Sequence, residues 1–344
     1  MMQQVVIERA GSYEQLQIKE KPDLTPTQGQ LVIDCKACGV NFADCCVRMG
    51  VYSSAKVYKG WPITPGFEVA GAVRAIGAGV HSFQVGDRVI ACTRFDGYSS
   101  QLCVPEAYVL PLPQGFSFEQ GASIPSVFLT AYYGLIEKAN PRKGERVLIH
   151  SAAGGVGSAL IQLAKLKGCH VTAVVGAAHK VEAARSLGAD AVIDKSTEAL
   201  WPSAEAIQAD GFDIVLDANG AETLSQSYAH LAPGGRLVVY GFHTMLSKGR
   251  GQLNWLKAAW DYLRTPRFNP LEMTSDNRSV LAFNLSYLFD KIDYFQETLG
   301  QILEWFETGA LQFPSITTYP IRAVQEAHKA LESGKTVGKI VLIP

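Results

Sequence analysis

The sequence predicts an α/β protein in which a parallel, doubly wound sheet is joined to a second, mostly antiparallel β domain. Three observations predict it. A short apolar run ends in a glycine cluster at 147–157, VLIHSAAGGVG, and passes directly into a helical stretch, SALIQLAK. Beyond it, buried-type apolar strands alternate with helical segments, the pattern of a parallel sheet covered on both faces. Residues 1–122 read differently, as short β-like runs separated by Gly, Pro and Asp turns.

In chain order, the first domain offers strands at Val5–Glu8, Gln30–Ala37, Val69–Ile76 and Arg88–Ala91. The second begins with Val147-Leu148-Ile149 and the glycine turn. Gly154 and Gly157 fill the last two glycine positions of a dinucleotide fingerprint, and Ala152 takes the first. Gly154 and Gly155 carry no Cβ, so a pyrophosphate can approach the backbone, and Gly157 lets helix and strand pack closely. Unpaired N–H groups and the helix dipole favour an anion there, with Val156 in the first turn. Strands at His170–Val175, Ala191–Asp194, Phe212–Asp217 and Arg236–Tyr240 follow, with helices at Lys180–Leu187 and Glu222–Leu231. The C-terminal third adds a helix at Asp293–Phe306, a strand at Ile316–Ile321, a helix at Ala323–Ser333 and a strand at Lys339–Ile343.

Composition excludes several classes. The 344 residues suffice for two ordinary domains, and 47% hydrophobic against 18% charged residues is a globular balance. A formal net charge of −1 with no long basic run gives nucleic-acid binding no electrostatic basis. No apolar stretch approaches the ~18–20 residues that span a bilayer, and the first residues, MMQQVVIERAGSYEQLQ, lack the pattern of a signal peptide. Seven cysteines, an odd number, suggest free thiols in a reducing, cytoplasmic setting. Cys35, Cys38, Cys45 and Cys46 cluster, but residues three apart on a strand point to opposite faces, and no second C-x-x-C pair completes a thiolate site. No metal is expected.

Six motifs stand in fixed order: CGVNFAD at 38–44, PGFEVAGAV at 65–73, VGDRV at 85–89, LTAYYGL at 129–135, AAGGVG at 152–157 and GKIVLIP at 338–344. With them the chain resembles, over essentially its full length, the medium-chain dehydrogenase/reductase superfamily in its zinc-free quinone oxidoreductase branch. SVLAFNLSYLF at 279–289, with the Trp-containing stretch before it, is most similar to the vesicle amine transport protein subgroup. The resemblance implies a Rossmann domain at 123–309 and a discontinuous GroES-like domain at 1–122 and 310–344, with substrate bound between them. It also implies a homodimer paired along Rossmann sheet edges.

Zinc-dependent relatives carry a Cys where this chain has Asn41 and a His where it has Phe67. An amide and a benzene ring cannot replace a thiolate and an imidazole. Without a Lewis acid, hydride delivery to an already polarised small-molecule acceptor, a quinone or an α,β-unsaturated carbonyl, is the easier chemistry. NAD-preferring domains place a carboxylate at the end of the second strand. Here that strand ends in Gly176-Ala177-Ala178-His179-Lys180, and Lys195 follows the third strand, where relatives often carry a phosphate-contacting Tyr. Both cations favour NADPH.

The resemblance places the nicotinamide near Asn41, Thr130 and Tyr240-Gly241-Phe242, with backbone of Phe283 to Leu285 also reaching it. Thr130 either touches cofactor or simply begins a helix, and Asn219 either borders the cofactor or caps the following helix. Tyr52 is the first candidate for chemistry, since enoyl thioester reductases of the wider family carry a proton-donating tyrosine at the matching place. Asn41 can donate to the acceptor's oxygen, and Asp44 orients the loop.

Residues 243–279 form a long connection. Leu253, Leu256, Trp260 and Leu263 make one apolar stripe at helical spacing. Lys248, Arg250, Lys257, Arg264, Arg267 and Arg278 surround it, against Asp261, Glu272 and Asp276. Three readings stay open: a wall over the cleft, a subunit interface, and an interfacial helix on anionic membrane.

Overall fold

The computed structural model describes residues 1–246 and 251–344; Lys248 and Arg250, counted above among the basic residues, lie outside the described residues. Six parallel strands form one sheet in the spatial order Ala191–Asp194, His170–Val175, Arg146–Ile149, Phe212–Asp217, Leu231–Val239, Ser279–Ala282. The chain starts at Arg146–Ile149 in the middle and winds outward both ways, the topology that opens a ligand crevice at the carboxyl ends of the central strands. Val147, Leu148 and Ile149 are fully buried, which is why this strand reads as a continuous apolar run. The helices Gly155–Leu166 and Ile292–Glu307 cover one face through Leu160, Ile161, Leu163, Leu299, Ile302 and Leu303.

The second sheet has seven strands. Its path runs Ile316–Pro320, Lys339–Ile343, Gln30–Val40, Glu68–Ile76, Arg88–Cys92, Val109–Pro111, and Gln101–Pro105 pairs with the first half of Gln30–Val40. All pairings are antiparallel except that of the first two strands. The last strand thus pairs with a strand from the beginning of the chain, Ile340 opposite Val40. Met2–Val6 and Gln17–Lys21 form a separate hairpin.

One expectation fails at Cys35 and Cys38. A register irregularity between Cys35 and Ala37 breaks the alternation, and both sulfurs enter the same core cluster. Each thiol donates to a carbonyl, Cys35 to Ile33 and Cys38 to Ser99.

A second expectation shifts at Thr130. The helix begins earlier, at Pro125, whose missing N–H suits the first turn. It continues past Tyr132 as a wider-wound π segment to Ala139, ended by Asn140 in the left-handed region at φ 48°. Thr130 therefore lies inside the helix, and its hydroxyl donates back to the Ser126 carbonyl at 2.7 Å.

The 243–279 connection splits into two parts. Leu246 and Leu253 pack with Cys45, Met49, Phe42 and Val51, tying its start to the first domain. The helix Trp255–Arg264 then presents its polar side inward: Asp261 is buried and paired with Lys257, which also donates to the Thr244 carbonyl. Of the predicted stripe, Leu256, Trp260 and Leu263 face solvent at 85%, 60% and 73% exposure, and Trp255 and Tyr262 join them. No helix among the described residues is long and apolar enough to cross a membrane.

Candidate active site

The glycine turn sits where the central strand meets its helix. Ser151 takes a positive φ of 54°, and Gly154 caps the helix Gly155–Leu166 with no side chain of its own. A Cβ on Gly157 would fall 2.4 Å from the Ser151 carbonyl oxygen, and one on Gly155 2.8 Å from Val127 Cγ1. At Gly154 a Cβ would meet nothing nearer than 3.3 Å, so its outer side is open. The three glycines thus divide their work: two permit close packing, and one leaves a cradle over half-exposed Gly154, Gly155 and Val156. The first-turn N–H groups have no intrahelical acceptor, so this floor suits an anion. Ala152 is fully buried beneath it.

Two cations stand at the far corner. Lys195 Cε lies 3.5 Å from where a Gly176 Cβ would be. Lys180, expected beside a 2′-phosphate, is 9% exposed and donates to the Gly334 carbonyl at 2.6 Å. The His179 ring is 3.0 Å from the Lys335 carbonyl, and the Gly338 N–H donates to the Ala153 carbonyl at 2.9 Å. The 334–338 loop of the C-terminal segment therefore lies along the nucleotide groove. Sequence reading missed it, because the loop is remote in the chain and its contacts are made by backbone.

At the opposite end, Asn41 precedes the helix Phe42–Arg48. Its amide is held on both sides: Oδ1 accepts from Lys339 Nζ at 2.5 Å, and Nδ2 donates to Glu68 Oε1 at 2.8 Å. Lys339 also donates to Glu68 Oε1 at 2.6 Å, and Glu68 Oε2 accepts from the Ser126 N–H at 2.6 Å. Of the two Asn41 amide N–H groups, one is taken by Glu68. Lys339 and Glu68 are neighbours of Asn41 that the sequence reading did not single out. Lys339 was legible only as the first residue of a strand.

Asp44 is fully buried. Its carboxylate accepts from the N–H groups of Asn41 and Gly66, both at 2.8 Å, and from the Tyr98 hydroxyl at 3.0 Å. Burial pushes its pKa up to about 7 against those bonds. Asp44, expected to orient the loop, is held behind the cleft by these three bonds rather than facing it.

Tyr52 is half-buried, with its ring edge-on to Phe67 at 5.8 Å, and burial raises its pKa. Its hydroxyl donates to Asn284 Oδ1 at 3.2 Å. Phe283 stacks on Tyr240 at 6.5 Å and meets Tyr133 edge-on at 5.0 Å, and Leu285 opens a 3₁₀ turn capped by Asn284. A Cβ on Gly241 would lie 3.0 Å from the Ala218 carbonyl oxygen, and Phe242 is half-exposed over Gly220. Asn219 is buried and caps no helix; its Oδ1 accepts from the Ser151 hydroxyl at 3.0 Å, bracing the glycine turn. The residues expected at the nicotinamide end therefore come from four separate stretches of chain. Thr130 is half-exposed beside them with its hydroxyl already bonded within the helix.

Behind the loop lies a buried polar cluster, the one group among the described residues with ligand atoms spaced for a metal: Cys45, His328 and Glu332. Its electrostatics argue otherwise. Glu332 is occupied by Arg48 and by the Tyr13 hydroxyl, both at 2.6 Å. Burial and the Arg48 charge hold His328 near pKa 3, and burial pushes the Cys45 thiol well up. With both Glu332 oxygens taken and a buried guanidinium beside them, the cluster packs around its own ion pair. Cys45 Sγ is 3.5 Å from His328 Nδ1, and His328 Nε2 is 3.3 Å from the Tyr98 hydroxyl.

Two family models match, "alcohol dehydrogenase GroES-like domain" over residues 27–129 and "zinc-binding dehydrogenase" over 187–342. The human synaptic vesicle membrane protein VAT-1 homolog is 31% identical over 342 residues, spanning 99% of this chain and 86% of that one. Among solved structures, the Escherichia coli quinone oxidoreductase complexed with NADPH matches with a TM-score of 0.85 at 28% identity, covering 99% of this chain and all of the other. The CurK enoyl reductase matches with the same TM-score and identity over 99% of each chain. Fold, motif order and these likenesses agree, and the chain belongs to the medium-chain dehydrogenase/reductase superfamily, close to the VAT-1 homologs and the quinone oxidoreductases.

Proposed function

We propose that the protein is a zinc-independent, NADPH-dependent oxidoreductase that reduces a quinone or an α,β-unsaturated carbonyl or enoyl acceptor. The observation that carries this is the open cradle at Gly154 with two lysines, 180 and 195, at the ribose end and no carboxylate on Gly176 to Lys180. That donor set fits a dinucleotide bearing a 2′-phosphate. A solved relative carrying NADPH in the same fold supports the choice.

Zinc independence rests on chemistry. Asn41 and Phe67 stand where relatives use thiolate and imidazole, and the Asn41 amide oxygen already faces the Lys339 ammonium. Bound NADPH supplies the hydride. The chain supplies the rest: the Gly154 turn holds pyrophosphate, Phe283 and Tyr240 wall the nicotinamide end, and the remaining Asn41 N–H donates to the acceptor's oxygen. Tyr52, protonated at neutral pH, gives a proton to the carbon left as a carbanion. Quinone oxygens take protons from water and need only alignment. We place the protein in a reducing cytoplasmic compartment, consistent with seven unpaired thiols, and as a homodimer joined along the outer strand Ser279–Ala282.

Calorimetric titration with NADPH and NADH tests the cofactor. NADPH should bind at least ~10-fold tighter, and Lys195→Ala should erase most of that preference, a charge-assisted bond being worth about 1.5–3 kcal/mol. Equal affinities would remove the 2′-phosphate assignment. Turnover is then screened across quinones, enones and enoyl thioesters.

One observation favours a second reading. The solvent-facing Trp255, Leu256, Trp260 and Leu263 suit a nucleotide-binding scaffold that engages an anionic membrane or a protein. Nucleotide binding without turnover, together with co-sedimentation on anionic liposomes, would favour it over the enzyme.

A further inference from the structure

The two sides of the cleft meet along a line of paired side chains. Tyr58 lies 6.1 Å from Tyr287, Arg94 reaches Asp290 at 2.9 Å and covers Tyr58 at 3.9 Å, and Tyr108 stacks on Phe289 at 4.5 Å. These contacts fasten the first domain to the stretch that follows strand Ser279–Ala282. The innermost contact of the line is polar and belongs to the site: the Tyr52 hydroxyl donates to Asn284 Oδ1. The same oxygen accepts from the Ser286 N–H at 3.0 Å and the Ser286 hydroxyl at 2.7 Å. Asn284 lies between Phe283 and Leu285, the residues at the nicotinamide end. It is therefore fixed to the hydride side of the cleft, while Tyr52 comes from the other side.

We propose that Asn284, assisted by Ser286, is a positioning residue for Tyr52: it parks the phenolic proton across the cleft and registers the acid against the face that receives hydride. The inference rests on the proton-donor reading of Tyr52 proposed above. The step balances as follows. Hydride adds to the β-carbon of the enone, leaving an enolate. The phenol turns from Asn284 Oδ1 to the α-carbon, its O–H bond breaks and the C–H bond forms. Ser286 Oγ–H, now donating to Asn284, turns to the phenolate, and water returns the proton. Protonation at carbon needs such registration, whereas protonation of a quinone oxygen does not.

The test uses the full chain with Tyr52→Phe, Asn284→Ala, Ser286→Ala and the Tyr52→Phe/Asn284→Ala double variant. Each is checked for an unchanged melting temperature and for NADPH affinity by fluorescence. With an enone, Asn284→Ala should lower kcat by ~10-fold or more with KM nearly constant. Ser286→Ala should lower it less. The solvent deuterium effect on kcat should rise, and the double variant should be no slower than Tyr52→Phe alone. Quinone reduction should fall by less than enone reduction in each variant. If Tyr52→Phe leaves enone reduction intact, the proton-donor reading falls and this inference with it. If Tyr52→Phe slows enones but the Asn284 effect adds to it, strikes quinones equally, or appears as weaker NADPH binding, the donor reading stands and Asn284 is not its positioning residue.

Discussion

Replacing Lys339 with methionine should destabilise the first domain far more than an ordinary surface charge deletion. The Lys339 and Glu68 side chains are 2% and 0% exposed and 2.6 Å apart. At that distance and an effective dielectric of about 20, their attraction is ~6 kcal/mol. Desolvation takes back several kcal/mol per ion, so the intact pair contributes little net stability. Deleting one partner is different. Glu68 would keep its bonds from Asn41 and Ser126 but remain a buried, uncompensated carboxylate. The expected cost is about 3–5 kcal/mol, a midpoint shift of ~1–2 M urea for a transition with m near 2–3 kcal/mol/M. Lys339→Met/Glu68→Gln removes the stranded charge and should recover most of that loss. Urea titration followed by tryptophan fluorescence and far-UV circular dichroism reads both variants. A loss under ~1 kcal/mol in the single variant, or no recovery in the double, would refute the reasoning.

Three further outcomes are expected. Gly157→Ala, whose methyl would sit 2.4 Å from the Ser151 carbonyl oxygen, should cost ~1–3 kcal/mol of stability, whereas Gly154→Ala should fold normally and lose NADPH affinity at least ~10-fold in calorimetry. Asp44 and His328 should oppose each other in the pH dependence of stability. Asp44 is raised from 3.8 to about 7, so its contribution is present below pH 3.8 and lost as pH rises toward 7. His328 is lowered from 6.5 to about 3, so its contribution is present above pH 6.5 and lost as pH falls toward 3. Denaturation series from pH 4 to 6.5 should show His328→Gln losing stability with rising pH relative to the wild type, and Asp44→Asn with falling pH, each by ~1.4 kcal/mol per pH unit. Finally, Leu256→Glu/Leu263→Glu should leave the melting temperature within about 2 °C, because both side chains face solvent, while reducing any binding to anionic liposomes.

The parts of this molecule that are local were legible in the sequence. The 147–157 turn carries its own strand, glycines and helix, so its geometry is encoded within eleven consecutive residues. Elsewhere the reading failed where a distant or irregular feature decided the outcome. Alternation put Cys35 and Cys38 on opposite faces, but a bulge between them turned both into one core. Helical periodicity grouped Leu256, Trp260 and Leu263 correctly on one face, yet periodicity does not say which face is turned to the protein. There a buried Asp261–Lys257 pair took the inner side. Lys180 was legible as a cation for the 2′-phosphate, but its bond to the Gly334 carbonyl was not, because that partner lies 154 residues away. Asn284 and Lys339 escaped notice for the same reason, with partners 232 and 298 residues distant.

The distance in sequence between Lys339 and Glu68 bears on how the chain is made. Glu68 leaves the ribosome 271 residues before Lys339 does. At about 5–20 residues per second, that interval is roughly 15–50 s. During it the N-terminal β segment holds a carboxylate whose buried site has no counter-charge, and the strand Gln30–Val40 lacks its Lys339–Ile343 neighbour along one edge. The nascent first domain must wait half-built, with an open strand edge and an acid it cannot yet bury, while the parallel sheet folds behind it. Chaperone dependence during synthesis, rather than fragility of the finished enzyme, is where that arrangement would leave its mark.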